Sequence, residues 1–263
     1  MPPTPTWEVD LAVYGPIRVA KPIRMSQAKS LNPLNPFYSD IEIVSTPFGV
    51  RASVTARTTS SDLARDAALY FFGQMLDALA LEIDTALYLS LHESRGAPEF
   101  DRSVRRIITS AEWNDAFHEA RHLALSEPTF LRALGYYRKG LYTEDAFDRF
   151  LAFWTSIEIV GGKYHVPNER TGQGIKNQIW ECFIRLWGEC DGWPYISGQN
   201  RWIDSCYDKR VGIAHGVASI DVEAVREVVN WMPELKNVSY GLLKGWRSEK
   251  LEVPILNATL PIT

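Results

Sequence analysis

The sequence predicts an α+β protein. A β-rich module with a covering helix spans residues 1–106, an all-α helical bundle spans 107–250, and an extended tail spans 251–263. Three observations carry this. Short runs before residue 60 alternate apolar and polar residues, the pattern of half-buried strands. Beyond about residue 110 the apolar residues recur at helical spacing. Between them lies a charged stretch, Glu93 to Arg106, which holds Gly96 and Pro98 and marks the boundary.

Each element has its own signal. Trp7 to Tyr14 begins as an alternation and stops at Gly15-Pro16. Ile41 to Val44 and Val50 to Ala56 flank Thr46-Pro47-Phe48-Gly49, a hairpin turn, and Asn32 to Pro36 is a loop. Ser61-Asp62 opens a helix with Leu63, Ala67, Tyr70, Phe71 and Leu76, which covers the sheet. Leu87, Leu89 and Leu91 alternate with Tyr88, Ser90 and His92 as a further strand. In the bundle, the first helix runs from Glu112 to Leu125 and the second from Thr129 to Lys139, ended by Gly140. Thr143 caps the third, which Gly161-Gly162 ends. Ile175 to Leu186 is the fourth, and Asn200 to His215 the fifth. A sixth, from Val222 to Met232, is entered through Ser219 or Asp221, and Pro233 separates it from a last short helix. The tail, with two prolines, is a candidate edge strand for the N-terminal sheet.

Composition narrows the function. The 263 residues are 46% hydrophobic and 23% charged with nine Trp, as in a soluble globular protein with a sizeable core. The net charge of −4 gives no overall positive field, so any RNA binding has to come from a local patch. Arg132, Arg138 and Lys139 offer one, as do Arg102, Arg105 and Arg106; each group also reads as a solvated helix face. Cys182, Cys190 and Cys206 are too few and too scattered for a disulfide framework, which points to reduced thiols and a cytoplasmic protein. The N-terminus has no signal-peptide pattern, and no apolar run reaches the roughly 18 residues of a membrane span.

The stretch with the most chemistry is Tyr207-Asp208-Lys209-Arg210-Val211-Gly212-Ile213-Ala214-His215-Gly216. Ile203, Cys206, Tyr207, Ile213 and Ala214 fall on one side of a helix, with Arg210 in their midst. A buried charge needs a partner. Thr143 to Val160 supplies one: Glu158 lies among Phe147, Phe150, Leu151, Trp154 and Ile157 on the inner face of an amphipathic helix. Arginine suits such a site because its planar fork holds a carboxylate or a phosphate through two hydrogen bonds.

Together, the Arg-x4-His-Gly of Arg210 to Gly216 and the aromatic-rich helix ending in Ile157-Glu158 resemble HEPN domains, most closely the Apea-like type. The resemblance covers roughly the second half of the chain. It implies a helical bundle that dimerises and, in many members, a metal-independent endoribonuclease that uses the motif arginine and histidine. Arg210 and His215 then take the catalytic roles, with Glu158 in support and Lys209 and Tyr207 beside them for substrate. Active members commonly carry a polar residue, often Asn, after the arginine; this chain has Val211. The whole chain is also similar, more faintly, to methylamine-utilisation proteins of the MauJ type, which implies an accessory binding or assembly role in amine metabolism.

RNA cleavage without a metal or other cofactor needs a base for the 2′-hydroxyl, an acid for the leaving 5′-oxygen and a cation for the phosphorane. His215 serves for proton transfer near neutral pH and Arg210 for the phosphate. The two lie roughly 140° apart around an ideal helix. They therefore share one cleft only if the helix loosens at Gly212 or ends at His215, or if a two-fold homodimer brings two copies of the motif together.

Against these stand plainer readings. Arg210 and Glu158 make a register-fixing ion pair, and His215 is a helix C-terminal residue followed by the usual glycine. Thr171 to Lys176 reads as a flexible loop rather than a phosphate cradle, since it lacks P-loop spacing. His118-Glu119-Ala120-Arg121-His122 matches the five-residue zincin pattern, two histidines for Zn²⁺ and Glu119 as base, and makes a zinc hydrolase the third candidate.

Overall fold

The computed structural model describes residues 4–28, 38–91, 98, 100–101, 103–215 and 221–251. The chain divides into two compact units, the first running to Ser126 and the second beginning at Glu127. The loop at 32–36, His92, Gly216, Ser219, Arg102, half of the charged stretch 93–106 and the tail from 252 lie outside the described residues.

The first unit is α+β. Its strands are β1 (Thr6–Tyr14), β2 (Ile17–Arg18), β3 (Ile23–Ala28), β4 (Tyr38–Thr46) and β5 (Gly49–Arg57). Helix α1 (Ser61–Ile83) follows, then β6 (Tyr88–Ser90), β7 (Arg106–Ile107) and helix α2 (Ser110–Ser126). Five strands form an antiparallel sheet in the order β3-β4-β5-β1-β6, while β2 and β7 pair in parallel. The alternation sets which face is inward: Leu11, Val13, Ile41, Ile43, Ala52 and Val54 are buried. Ser60 starts α1 by accepting a hydrogen bond from the Leu63 N–H at 3.3 Å. The C-terminal half of α1 is buried nearly all round, and Phe72 meets Trp113 and Phe117 of α2 at ring separations of 6.2 and 5.8 Å. Those aromatic contacts explain why the first unit extends one helix beyond the boundary read from the sequence.

The second unit is all-helical among the described residues. It comprises α3 (Pro128–Tyr142), α4 (Ala146–Tyr164), α5 (Ile175–Trp187), α6 (Trp202–Ala214) and α7 (Val222–Glu249). Several boundaries differ from those read in the sequence. Gly140 and Gly161 do not end helices; they lie inside α3 and α4, where neighbouring helices come close. A Cβ on Gly140 would lie 2.7 Å from the Phe153 ring, and one on Gly161 2.6 Å from Ile179 Cγ1. Thr143 closes α3 rather than opening α4, donating its hydroxyl to the Lys139 carbonyl at 2.6 Å. The cap of α4 is Asp145, which accepts from the Asp148 N–H at 2.9 Å.

Pro233 does not divide the last helix, because α7 continues through it. Pro233 and Val229, the residue whose carbonyl loses its partner, are both exposed, so water can satisfy that carbonyl. Beyond the proline, Leu235, Val238, Leu242 and Trp246 are buried at helical spacing and hold the helix in place. Asp221 caps its start, accepting from the Ala224 N–H at 2.8 Å.

Candidate functional site on helices α4 and α6

Tryptophans set the site. Trp154 of α4 packs on Trp202 of α6 at a ring separation of 6.1 Å, and Phe183 of α5 packs on Trp202 at 6.2 Å. All three are buried. Ser156 and Ser239 share a hydrogen bond of 2.6 Å that ties α4 to α7 in the interior. Glu158 lies one turn beyond Trp154 on α4, and Arg210 about two turns beyond Trp202 on α6. Arg210 Nε approaches Glu158 Oε1 at 3.5 Å, so the pair inferred from the two stretches does form.

The pair is not buried as the sequence stripes imply. The Arg210 side chain is 33% exposed and that of Glu158 16%. No hydrogen bond joins them, so the contact is an open ion pair rather than a two-bond fork. The reason lies in α6. Trp202, Ile203 and Cys206 are buried, Tyr207 and residues 209–213 are half-buried, and Ala214 and His215 are exposed. Burial along the helix fades as the motif begins.

Helix α6 runs unbroken through Gly212 and ends at Ala214, and His215 is its C-cap, with φ −99° and ψ 3°. The His215 N–H donates to the Val211 carbonyl at 3.0 Å. Its imidazole stands at the helix end, exposed, while Arg210 lies one and a half turns back beside Glu158. Of the two flanking candidates, Lys209 is committed to α7: its ammonium pairs with Glu227 and lies 5.9 Å from the centre of the Trp231 ring. Tyr207 lies under Lys176, whose ammonium is 5.5 Å from the ring centre and 2.6 Å from Asp204.

The chain matches no family model, no curated protein and no solved structure. The functional reading therefore rests on the residues themselves.

Glu158 also lines a concavity of about 470 Å³ on the outer side of α3 and α4, with Thr129, Arg132, Ile159 and Lys163. Arg132 belonged to a basic patch visible in the sequence. Lys163 did not, because the sequence ends the helix at Gly161, whereas α4 reaches Tyr164. The segment after α4 is also firmer than a flexible loop. Asn168 and Thr171 exchange hydrogen bonds of 2.8 and 2.9 Å between backbone N–H groups and side-chain oxygens, and Thr171 is buried.

The zincin pattern falls on α2. His118 and His122 are both exposed, and no group of three or more His, Cys, Asp or Glu able to hold a metal occurs among the described residues. Among the described residues the pattern has no third ligand. No helix is long and apolar enough to cross a membrane among the described residues.

Proposed function

We propose that the protein is a metal-independent endoribonuclease of the HEPN type, acting as a homodimer in the cytoplasm. The observation that carries this reading is the open Arg210–Glu158 pair on a helix that ends at an exposed His215. In a structural ion pair the two groups would satisfy each other. Here Glu158 holds the guanidinium from one side at 3.5 Å and leaves it partly open to solvent, where a phosphate can reach it.

In this reading Arg210 binds the scissile phosphate and neutralises the charge that builds on it. One His215 takes the proton from the 2′-hydroxyl, and the 2′-oxygen attacks phosphorus. The bond from phosphorus to the 5′-oxygen breaks, and the second protomer's histidine protonates that oxygen. The products are a 2′,3′-cyclic phosphate and a 5′-hydroxyl. Glu158 positions Arg210, and Lys209, through Glu227, fixes α6 rather than touching RNA.

Apolar residues that lie open on α6 and α7 offer the dimer a surface. Val222 and Val229 of α7 are 65% and 50% exposed, and Val211 and Ile213 of α6 are half-buried. A two-fold contact through α6 brings two motif helices together. The test is RNA cleavage in EDTA by the wild type beside His215→Ala, with end-group analysis. Cleavage by the wild type alone, leaving cyclic phosphate, is the expected result; no cleavage by a folded, dimeric wild type overturns it.

Val211 favours a second reading. An apolar residue follows the arginine where active relatives of the resembled family carry a polar one, which fits a non-catalytic binding or assembly protein of the MauJ kind. The same cleavage experiment separates the two.

A further inference from the structure

We infer that the concavity between α3 and α4 binds phosphate groups of a nucleotide chain next to the Arg210 site. The volume of about 470 Å³ lies within the roughly 300–1,000 Å³ of small-ligand sites. Its walls are chemically divided. Ile159 and Pro128 give an apolar surface, while Arg132 and Lys163 stand at its rim from opposite helices.

The charge balance points to an anion. Arg132 and Lys163 have no acidic partner among the described residues, and Glu158, the one acid lining the concavity, already carries Arg210. Two further cations thus line the concavity beside a carboxylate that already has its partner. Glu127, just before α3, is turned to the Tyr164 hydroxyl, which donates to it at 2.6 Å. Arg132 is also held in place, its guanidinium carbon 5.8 Å from the centre of the Tyr136 ring. Thr129 adds a hydroxyl to the same wall.

A nucleotide unit has the matching division, an apolar base face and sugar beside a charged phosphate. The concavity shares Glu158 with the Arg210 pair, so a strand whose scissile phosphate sits on Arg210 has a neighbouring phosphate within the reach of Lys163 and Arg132. As a placement of RNA this rests on the reading above; the binding itself does not depend on cleavage.

The test measures binding on the His215→Ala protein, which cannot cleave in the proposed mechanism. A fluorescein-labelled oligouridylate is titrated by anisotropy at several salt concentrations, with uridine monophosphate as competitor. Arg132→Ala and Lys163→Ala should each weaken binding about tenfold. Each should also flatten the salt dependence by roughly 0.7 in log–log slope. Arg226→Ala removes an exposed α7 cation paired with Glu223 and should change neither. Competition by the mononucleotide identifies a free nucleotide as sufficient ligand, and failure to compete identifies the strand; both support the site. Unchanged affinity in folded Arg132→Ala and Lys163→Ala proteins overturns it, as does the absence of any binding. Groove-dependent binding without cleavage by the wild type sinks the nuclease reading and keeps this one. Cleavage with groove-independent binding does the reverse.

Discussion

Helices α1 and α6 each lie against the core of their own unit, and they use their residues differently. The second half of α1 is buried on almost every side, so nearly every side chain from Phe72 to Ile83 is spent on packing. Helix α6 packs through Trp202, Ile203 and Cys206 and then emerges, with Arg210 part-exposed and His215 fully at the surface. A helix that needed its last two turns for stability would bury them. Helix α6 does not, over the very stretch that holds an arginine and a histidine.

The contrast predicts opposite responses to substitution. Phe72→Ala should cost about 3–5 kcal/mol, because it removes a ring that fills the space between α1 and α2. Urea unfolding followed by tryptophan emission reads this directly, since Trp113 is the ring it touches; a loss under about 1 kcal/mol would break the comparison. Arg210→Ala should cost less than about 1 kcal/mol of stability, as an open ion pair does. It should lower RNA cleavage roughly 100-fold to 1,000-fold, the usual effect of losing a transition-state donor. If Arg210→Ala unfolds the protein as Phe72→Ala does, the pair is structural and α6 is no different from α1. Between these lies Gly161→Ala. The added methyl meets Ile179 at 2.6 Å from its side chain and 3.0 Å from its Cα, so the α4–α5 contact must open, at about 1–3 kcal/mol. A neutral result would mean that the glycine is a residual stop signal rather than a close-approach site.

Period carried most of the fold in the sequence. The strands at Trp7, Ile41 and Val50, the hairpin between the last two and the helix from Ser61 all appear where alternation, turn residues and a serine cap place them. The errors came from punctuation. Glycine and proline read as local stops at Gly140, Gly161 and Pro233, where the helices in fact continue. In each case tertiary packing outweighed the local preference, through a neighbouring ring, a neighbouring helix or a buried stripe further along. Strand β3 is not among the strands expected from the sequence, because the alternation of Ile23-Arg24-Met25-Ser26 is only four residues long and follows Lys21-Pro22; its pairing with β4 settles it. At the site, the Arg210–Glu158 partnership was legible because both charges interrupt apolar stripes. Its partial exposure was not, since a stripe says which side faces inward and not where along the helix the interior ends. That Arg132 and Lys163 line one concavity with Glu158 was illegible for a related reason, as it depends on how α3 lies along α4.

The smallest effect tests the same division at its buried end. Cys182 on α5 and Cys206 on α6 are buried, whereas Cys190 is half-buried in the turn between those helices. Burial pushes the Cys182 thiol up to about 12 and raises that of Cys206 as well. At pH 8 their reactive thiolate is therefore scarce as well as shielded. A chromogenic disulfide reagent should titrate one thiol in the native protein, Cys190, and all three after unfolding. The linkage has a definite sign. A thiol whose folded value is raised above the unfolded one favours the folded state fully below about pH 8.5, and that contribution is lost as the pH climbs through about 12. Stability should thus fall on the alkaline side, and Cys182→Ala should shrink the fall. Rapid native labelling of Cys206 would show that the first half of α6 opens readily, and the difference from α1 would then be one of stability rather than of purpose.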